Sequence, residues 1–439
     1  MASVADIQVS PSRPPTIARS IIPLFILSLA LASGFTMMVS FTMMAESAKS
    51  ELGLSDTSLG LIQGMGAALP LVLFSVPIGV LVDRANRMRV MTAMALIWTA
   101  GTFLTALSAN AWILFAARML TGIGTTGALT AALSVSADLC LPEQRGRAML
   151  MTALGKSLGQ AAAFAASGFL LGMFAAANAP RWFGEMVPWR SAQLTLGIAS
   201  LALVLPMLLL REPERQEVES GPDAPFRTVL RELWSRRGFL IPLFVGQTSV
   251  VMADAAAGIW AAPVLERSYG LQPAEFGGWL GAILLATGIF GSILGGIVAD
   301  WGQKTGRRGG ILYGALAAAV IGVPAALFPI MPGVTGFAVL VGVLILSGTI
   351  TGLITSVALT VLLPNELRGL SIGAFIAIAG LIGFGVAPTL VTGVSTLLGG
   401  EQMLAQALAI VGVAVSIVSI GGFALSIRHA PANPLDHED

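Results

Sequence analysis

A loop that occurs twice restricts this chain to very few folds. Residues 79–89 (GVLVDRANRMR) are echoed by residues 296–308 (GIVADWGQKTGRR), and each copy lies between two long apolar stretches. Asp83 and Asp300 stand 217 positions apart, and the same offset relates Gly53-Leu54 to Gly270-Leu271 and Gly60 to Gly277. Farther on, Leu141-Pro142 with Arg145-Gly146 returns as Leu363-Pro364 with Arg368-Gly369, at an offset of 223 between the arginines. Landmarks that recur in one order at nearly one spacing imply a duplicated unit, and parallel halves of this size are a device of membrane transport proteins.

Composition places those halves in a bilayer. Hydrophobic residues make up 55% of the chain and charged residues 11%, against roughly 25% charged in a soluble domain. Too few charges remain to cover a water-facing surface of 439 residues. A net charge of +1 with no clustered basic stripe argues against nucleic acid as a partner. One cysteine, Cys140, excludes an internal disulfide, and the two histidines, His429 and His437, do not suggest a metal site.

A bilayer is crossed by about 20 apolar residues in a helix. Twelve such stretches are legible: residues 20–45, 57–82, 88–108, 111–138, 147–175, 191–211, 239–265, 275–299, 310–330, 335–362, 369–396 and 402–427. The expected fold is therefore all-α and integral to the membrane, with two pseudo-symmetric six-helix bundles at 18–211 and 239–427. Residues 1–17 read as a polar leader, 212–238 as a linker and 428–439 as a tail. Ala30-Leu31-Ala32 mimics a signal-peptidase site, but the apolar stretch runs past it to Met44. If the N-terminus is inside, 18 of the 24 Lys and Arg fall on inner segments and only Lys49, Arg181, Arg190 and Arg267 on outer ones. That asymmetry predicts cytoplasmic termini, in a bacterial inner membrane. Within the linker, Phe226, Leu230, Leu233 and Trp234 share a helical face opposite Arg227, Arg231 and Arg236, the pattern of a short interfacial helix.

The repeated loop resembles the signature of the major facilitator superfamily, Gly-x-x-x-Asp-Arg-x-x-Arg, which joins the second and third helices of each half. Arg118-x-x-x-Gly122-x-Gly124 resembles that superfamily's fourth-helix motif. The chain is most similar to the bacterial spinster-type branch, through Glu51 to Asp56 with Gly60, Asp83-Arg84 with Asn86-Arg87, Trp189-Arg190, Trp260 with Arg267 to Gly270, and Gly383, Gly385 and Pro388. The resemblance implies the twelve-helix major facilitator fold, alternating access and a lysolipid-like or sphingoid substrate. It also implies proton-carrying carboxylates in the first helix and directly after the fourth-helix glycines. Here Met37 or Met38 and Thr125 stand at those places, so proton coupling does not carry over directly.

Ionisable residues within spans are costly and mark functional sites by default. Arg118 lies about six residues, roughly 9 Å, below the outer surface, and Lys156 roughly 13 Å from the inner side. Asp254 falls near the middle of the seventh helix with Gln247 two turns earlier on the same face, and Lys156 has Gln160 one turn on. These five, with Thr125, are the candidate substrate-binding or coupling residues. Arg118 has a plainer alternative as a carbonyl-binding strut and Lys156 as a snorkelling cation, while Asp254 reads either as the replacement proton carrier or as the counter-ion of Lys156. A second set reads as a conformational latch: Asp83, Arg84, Arg87, Asp138 and Arg145 in the first half, and Asp300, Arg307 and Arg308 in the second. In it Asp138 has Arg87, Arg145 and Arg147 as candidate partners. The alternative is charge that merely fixes topology.

A mostly apolar cavity with two cations and one carboxylate suits an amphiphilic organic anion. The rival is a proton-coupled exporter of cationic drugs anchored on Asp254, and a further alternative is a non-transporting sensor. No phosphate-binding loop of the Gly-x-x-x-x-Gly-Lys-Ser/Thr kind is present, because Leu150 replaces the upstream glycine before Gly155-Lys156-Ser157. No nucleophile–base pair or metal cluster is legible either, so neither a cofactor nor an enzyme is expected. The expected partners are a small molecule, a proton as candidate co-ligand, and the lipid bilayer.

Overall fold

The computed structural model describes residues 20–141, 144–213, 231, 233–363 and 365–431. The expected leader, most of the linker with Phe226, Arg227 and Leu230, and the end of the tail lie outside them. Among the described residues twelve helices are long and apolar enough to cross a membrane. They are α1 (Ile21–Leu52), α2 (Asp56–Arg84), α3 (Arg87–Ala106), α4 (Ala111–Asp138), α5 (Arg147–Ala175), α6 (Pro188–Leu209), α7 (Arg237–Tyr269), α8 (Pro273–Lys304), α9 (Gly310–Ile330), α10 (Val334–Val361), α11 (Ser371–Leu398) and α12 (Glu401–His429). The count agrees with the sequence reading, and α1–α6 and α7–α12 form the two bundles.

Local chemistry sets the helix ends. Ser55, Asn86 and Asn110 cap α2, α3 and α4, their side-chain oxygens accepting from the backbone N–H of Ser58, Arg89 and Ile113. The repeated glycines Gly53 and Gly270 end α1 and α7 with φ of +63° and +69°. Only glycine adopts that left-handed turn without strain, which explains why the duplication keeps both. The largest departure from the sequence reading is in α1. It is α-helical to Ser40, tightens to a 3-10 turn at Phe41–Met44, and resumes as Ala45–Leu52. That last piece (AESAKSEL) is polar, so hydropathy ended the span too early. In α11 the segment Gly380–Val386 is a π-helical turn.

Among the described residues the bundles meet most extensively where α2 packs on α11, α5 on α8, and the 3-10 turn of α1 on α7. The first two rest on small residues, as expected where lipid removes the hydrophobic drive for helix association. A Cβ on Gly168 would sit 3.2 Å from the Cα of Gly277, one on Gly281 2.6 Å from the Ala161 carbonyl oxygen, and one on Gly60 3.1 Å from the Trp260 ring. Proceeding from the end that carries Gly53 and Gly270, α5 and α8 stay in contact as far as Ser157 and Gly288. Beyond that point Gly291 and Gly295 of α8 turn to Thr349 and Leu353 of α10 instead. The buried core tells the same story. One apolar cluster takes in the first bundle and the Gly53/Gly270 end of the second, whereas the second bundle's arginine-rich end has its own cluster around Phe239, Leu243, Ile354 and Phe423. The molecule is closed at one end and parted at the arginine-rich end.

Within the first bundle, Gly155 and Gly159 of α5 lie on Ser28 and Ala32 of α1, and a Cβ on Gly159 would stand 2.8 Å from the Ala32 Cα. Overpacking of this kind costs about 1–3 kcal/mol. Gly159→Ala is therefore expected to lower the melting temperature of the detergent-purified protein by several degrees, whereas Gly393→Ala, with nothing within 4 Å, leaves it unchanged. Equal melting temperatures for the two variants would contradict this packing.

Candidate functional site

The space between the bundles is faced by α1, α4 and α5 on one side and α7 and α10 on the other. Arg118 of α4 is only 7% exposed. Its Nη1 donates to the carbonyl oxygen of Met37 at 3.3 Å, its Nη2 donates to that of Met38, and the guanidinium stacks on Phe41 with 5.4 Å to the ring centre. Those carbonyls belong to the last turn of α1, just before the backbone tightens into its 3-10 turn. Thr125, two turns on along α4, donates to the carbonyl oxygens of Gly34 and Thr121 at 3.1 and 2.9 Å. Both residues hold α1 against α4, and neither presents a free polar group to the cavity beyond the Arg118 Nε, which is buried without an acceptor.

Lys156 is placed differently. Its helix turns Gly155 and Gly159 to α1 and Ser157 and Ala161 to α8, leaving two remaining faces. One carries the exposed Leu158 and Phe169, suited to lipid. The other, about 200° around from Leu158 at 100° per residue, carries Lys156 and Gln160. Lys156 is exposed on that face, its Nζ lies 5.5 Å from the centre of the Phe35 ring, and among the described residues it has no carboxylate partner.

Gln247 and Asp254 share the face of α7 that meets α10, as their spacing of two turns predicts. Gln247 is buried and accepts at Oε1 from the Thr355 hydroxyl at 3.1 Å. Asp254 lies against Gly348, where a Cβ would fall 2.6 Å from the carboxyl carbon, and its Oδ1 is buried with no hydrogen-bond partner. No ion pair joins Asp254 to Lys156.

At the arginine-rich end, Arg87 (2% exposed) donates to Asp138 at 2.5 Å, to Glu212 at 3.0 Å and to the Pro213 carbonyl at 3.1 Å. Of the candidate partners for Asp138, Arg87 thus makes a close pair. Arg308 donates to the Ala430 carbonyl. These bonds stay within one bundle or reach the segment that follows it. Asp83, Arg84 and Arg145 stand on the same end of the first bundle, and Asp300 and Arg307 on that of the second.

Of the ion pairs seen among the described residues, those at the closed end cross between the bundles, and the sequence reading did not assign them. Arg267 of α7 donates to both oxygens of Asp56 at 2.7 Å and to Glu46 at 2.5 and 3.0 Å. Lys49 pairs with Asp56 at 2.6 Å and with Glu401 of α12, which also accepts from the Asp56 backbone N–H at 2.8 Å. Beside them Arg190 binds Glu51 and the carbonyls of Ala106 and Ser108. The signal was present: every one of the four outer cations, Arg181 included, has a carboxylate partner.

With the geometry in hand, comparison with known proteins locates the chain. The sequence profile of the Major Facilitator Superfamily matches residues 26–388. Protein spinster homolog 1 of Xenopus laevis is 26% identical over 279 residues, 59% of this chain and 50% of that protein. An MFS-type efflux pump of Mycolicibacterium smegmatis is 24% identical over 261 residues, 59% of this chain and 57% of its own. The chain thus spans about half the length of the curated relatives it matches. The crystal structure of a bacterial homolog to the human lysosomal transporter spinster, inward-facing and unoccupied, superposes with a TM-score of 0.77 at 22% identity, over 96% of this chain and 98% of that one. A nucleoside transporter superposes with a TM-score of 0.73 at 12% identity, over 92% and 99%.

The closed-end pairs are partly exposed, so each is worth on the order of 1 kcal/mol. Removing Arg267, which makes two of them, is expected to move the closed-end equilibrium about thirtyfold toward separation, about 2 kcal/mol. Spin labels at Thr57→Cys and Gln402→Cys, on a Cys140→Ala background, would report longer distances in Arg267→Ala than in the parent. An unchanged distance distribution would show that the pairs do not hold this end shut.

Proposed function

The chain belongs to the Major Facilitator Superfamily, and we propose that it is a multi-pass membrane transporter working by alternating access, whose cargo is an amphiphilic organic anion with its charged head at Lys156. The observation that carries this reading is the ammonium itself, exposed on the cavity face of α5 without a carboxylate beside it. A cation within a span persists where it has work to do. Gln160 offers a neighbouring polar group, and Phe35 supplies an aromatic wall. Arg118 and Thr125 act on the bundle rather than the cargo, by fixing the break in α1 that shapes the cavity wall. Met38, near that break, offers the adaptable apolar surface that suits an acyl or aromatic tail.

On this reading the arginine-rich end, which is parted, faces the cytoplasm of a bacterial cell, because cationic loops are retained there. The state is then inward-open, with the ion pairs of Arg267 and Lys49 closing the outer end. Closing the inner end brings together the segments that carry Asp83, Arg84, Arg87, Asp138 and Arg145 and those that carry Asp300, Arg307 and Arg308, which is the latch role proposed for them. The similarity to spinster proteins favours a lysolipid-like anion as cargo.

A second reading has one observation in its favour. Asp254 is a cavity-level carboxylate without a partner, as an exporter of organic cations requires, and a relative is named an MFS-type efflux pump. Thermal shift on the detergent-purified protein separates the two, because a ligand stabilises the state it binds by RT ln(1 + [L]/Kd). Lysophosphatidylglycerol is expected to stabilise the parent, and Lys156→Ala to weaken its binding at least tenfold, about 1.4 kcal/mol. Stabilisation by ethidium alone, abolished in Asp254→Asn, would replace the anion reading with the cation one.

A further inference from the structure

We infer that Asp254 is a proton-binding site that drives the conformational cycle, lodged at the position in the second bundle that corresponds to Met37 in the first. The inference deepens the transporter reading and rests on it only for a cavity that opens to each side in turn.

The correspondence follows from the duplication. The offset of 217 that relates Gly53 to Gly270 and Asp83 to Asp300 carries Met37 onto Asp254, and the offset of 223 at the second landmark carries Thr125 onto Gly348. The structure repeats the contact as well as the sequence. In the first bundle α1 meets α4 where Thr125 donates to Gly34 and Arg118 grips the Met37 carbonyl. In the second, α7 meets α10 where Asp254 lies on Gly348. One location in the fold has thus been filled in two ways: by an arginine clamp on backbone carbonyls on one side and by a carboxylate with an unsatisfied buried oxygen on the other.

Gly348 makes the room. A Cβ there would stand 2.6 Å from both the carboxyl carbon and Oδ1 of Asp254. A glycine in mid-helix is destabilising relative to alanine, and here it admits an acidic side chain that nothing in the packing otherwise requires. As an anion, that side chain leaves Oδ1 buried without a donor, which is expensive. Taking one proton from water on the open side removes the charge and gives the group an O–H of its own. Release to water on the opposite side restores the anion, so no bond other than O–H forms or breaks.

The ionisable groups around Asp254 are all remote. On α7 itself the nearest are Glu266 and Arg267, twelve or more residues away, with Tyr269 beyond them and Arg237 at the other end. α10 and α11 carry none within their spans. α12 has Glu401 at one end and Arg428 and His429 at the other, α8 has Glu275, Asp300 and Lys304 at its ends, and α1 has Glu46, Lys49 and Glu51 past its 3-10 turn. Across the cavity stands Lys156, which forms no ion pair with it. Nothing nearby can neutralise the carboxylate in place of a proton. An alkali-metal ion would need several further oxygens beside the carboxylate. Among the described residues no group of three acidic, His or Cys side chains gathers there.

The test needs no cargo. The full chain, spin-labelled at Thr57→Cys and Gln402→Cys with Cys140→Ala, is placed in lipid nanodiscs and its distances are measured from pH 5 to pH 9. The parent is expected to shift its closed-to-open ratio at least fivefold across that range, and Asp254→Asn, nearly isosteric, to hold one ratio throughout. Gly348→Ala, with its Cβ against the carboxyl, should displace the midpoint by at least half a unit. A parent that does not respond to pH, or an Asp254→Asn variant that responds as the parent does, overturns the inference. So does a response to sodium at fixed pH. In a second arm, proteoliposomes carry fluorescently labelled lysophosphatidylglycerol: Asp254→Asn should exchange it across the membrane while losing accumulation driven by a pH gradient. A pH response in nanodiscs with no movement of this lipid would leave the proton site standing and remove the anion reading. Accumulation retained in Asp254→Asn would show that the site does not couple.

Discussion

The structure depends on helices from opposite bundles approaching until their backbones nearly touch. In lipid, apolar burial gives helices no reason to associate, so cohesion comes from close contact of small residues. The α5–α8 seam is made this way, through Gly168, Gly277 and Gly281, and the α2–α11 seam through Gly60 and Gly64. Such a contact is smooth. It contains few interlocking side chains that must be withdrawn before one bundle can rock against the other, which is why the same glycines that join the halves also allow them to part.

The charges divide the work by position. At the closed end, Lys49, Asp56, Arg267, Glu46 and Glu401 tie the bundles with bonds that water partly reaches. Together they contribute only a few kcal/mol. Reversing a two-state equilibrium from 1:99 to 99:1 takes about 5.5 kcal/mol, so a latch of this strength can hold one state and still be overcome by cargo or a proton. The Arg87–Asp138 pair is more deeply buried and lies within one bundle. Breaking a pair of that kind is far costlier, so it stiffens a half and is not undone in each cycle.

The sequence displayed some of this and concealed the rest for identifiable reasons. The duplicated loop, the capping residues and the apolar runs act over a few positions, and they gave the helix count and the two bundles. The polar piece Ala45–Leu52 was lost because hydropathy cannot distinguish a helix that emerges from the membrane from a loop. Arg118 stood out for its depth, but depth cannot say whether a guanidinium meets a ligand or a backbone; the carbonyls of Met37 and Met38 decide that. The closed-end network joins Lys49 to Glu401 and Glu46 to Arg267, over 352 and 221 positions. No local pattern encodes such pairs.

Duplication gives a protein two copies of every position, and two copies need not keep one task. Where α1 meets α4, the backbone break at Phe41–Met44 frees carbonyls that must be satisfied, and Arg118 satisfies them. In the second bundle α7 stays α-helical from Arg237 to Tyr269, with Pro242 and Pro263 inside it but no 3-10 turn at the matching place. The matching space between α7 and α10 is then open to a different side chain, and Asp254 occupies it. A clamp that must stay fixed and a carboxylate that must change its charge are incompatible at one position. Placing one in each half allows a rigid break to shape the cavity on one side while a titratable group works on the other.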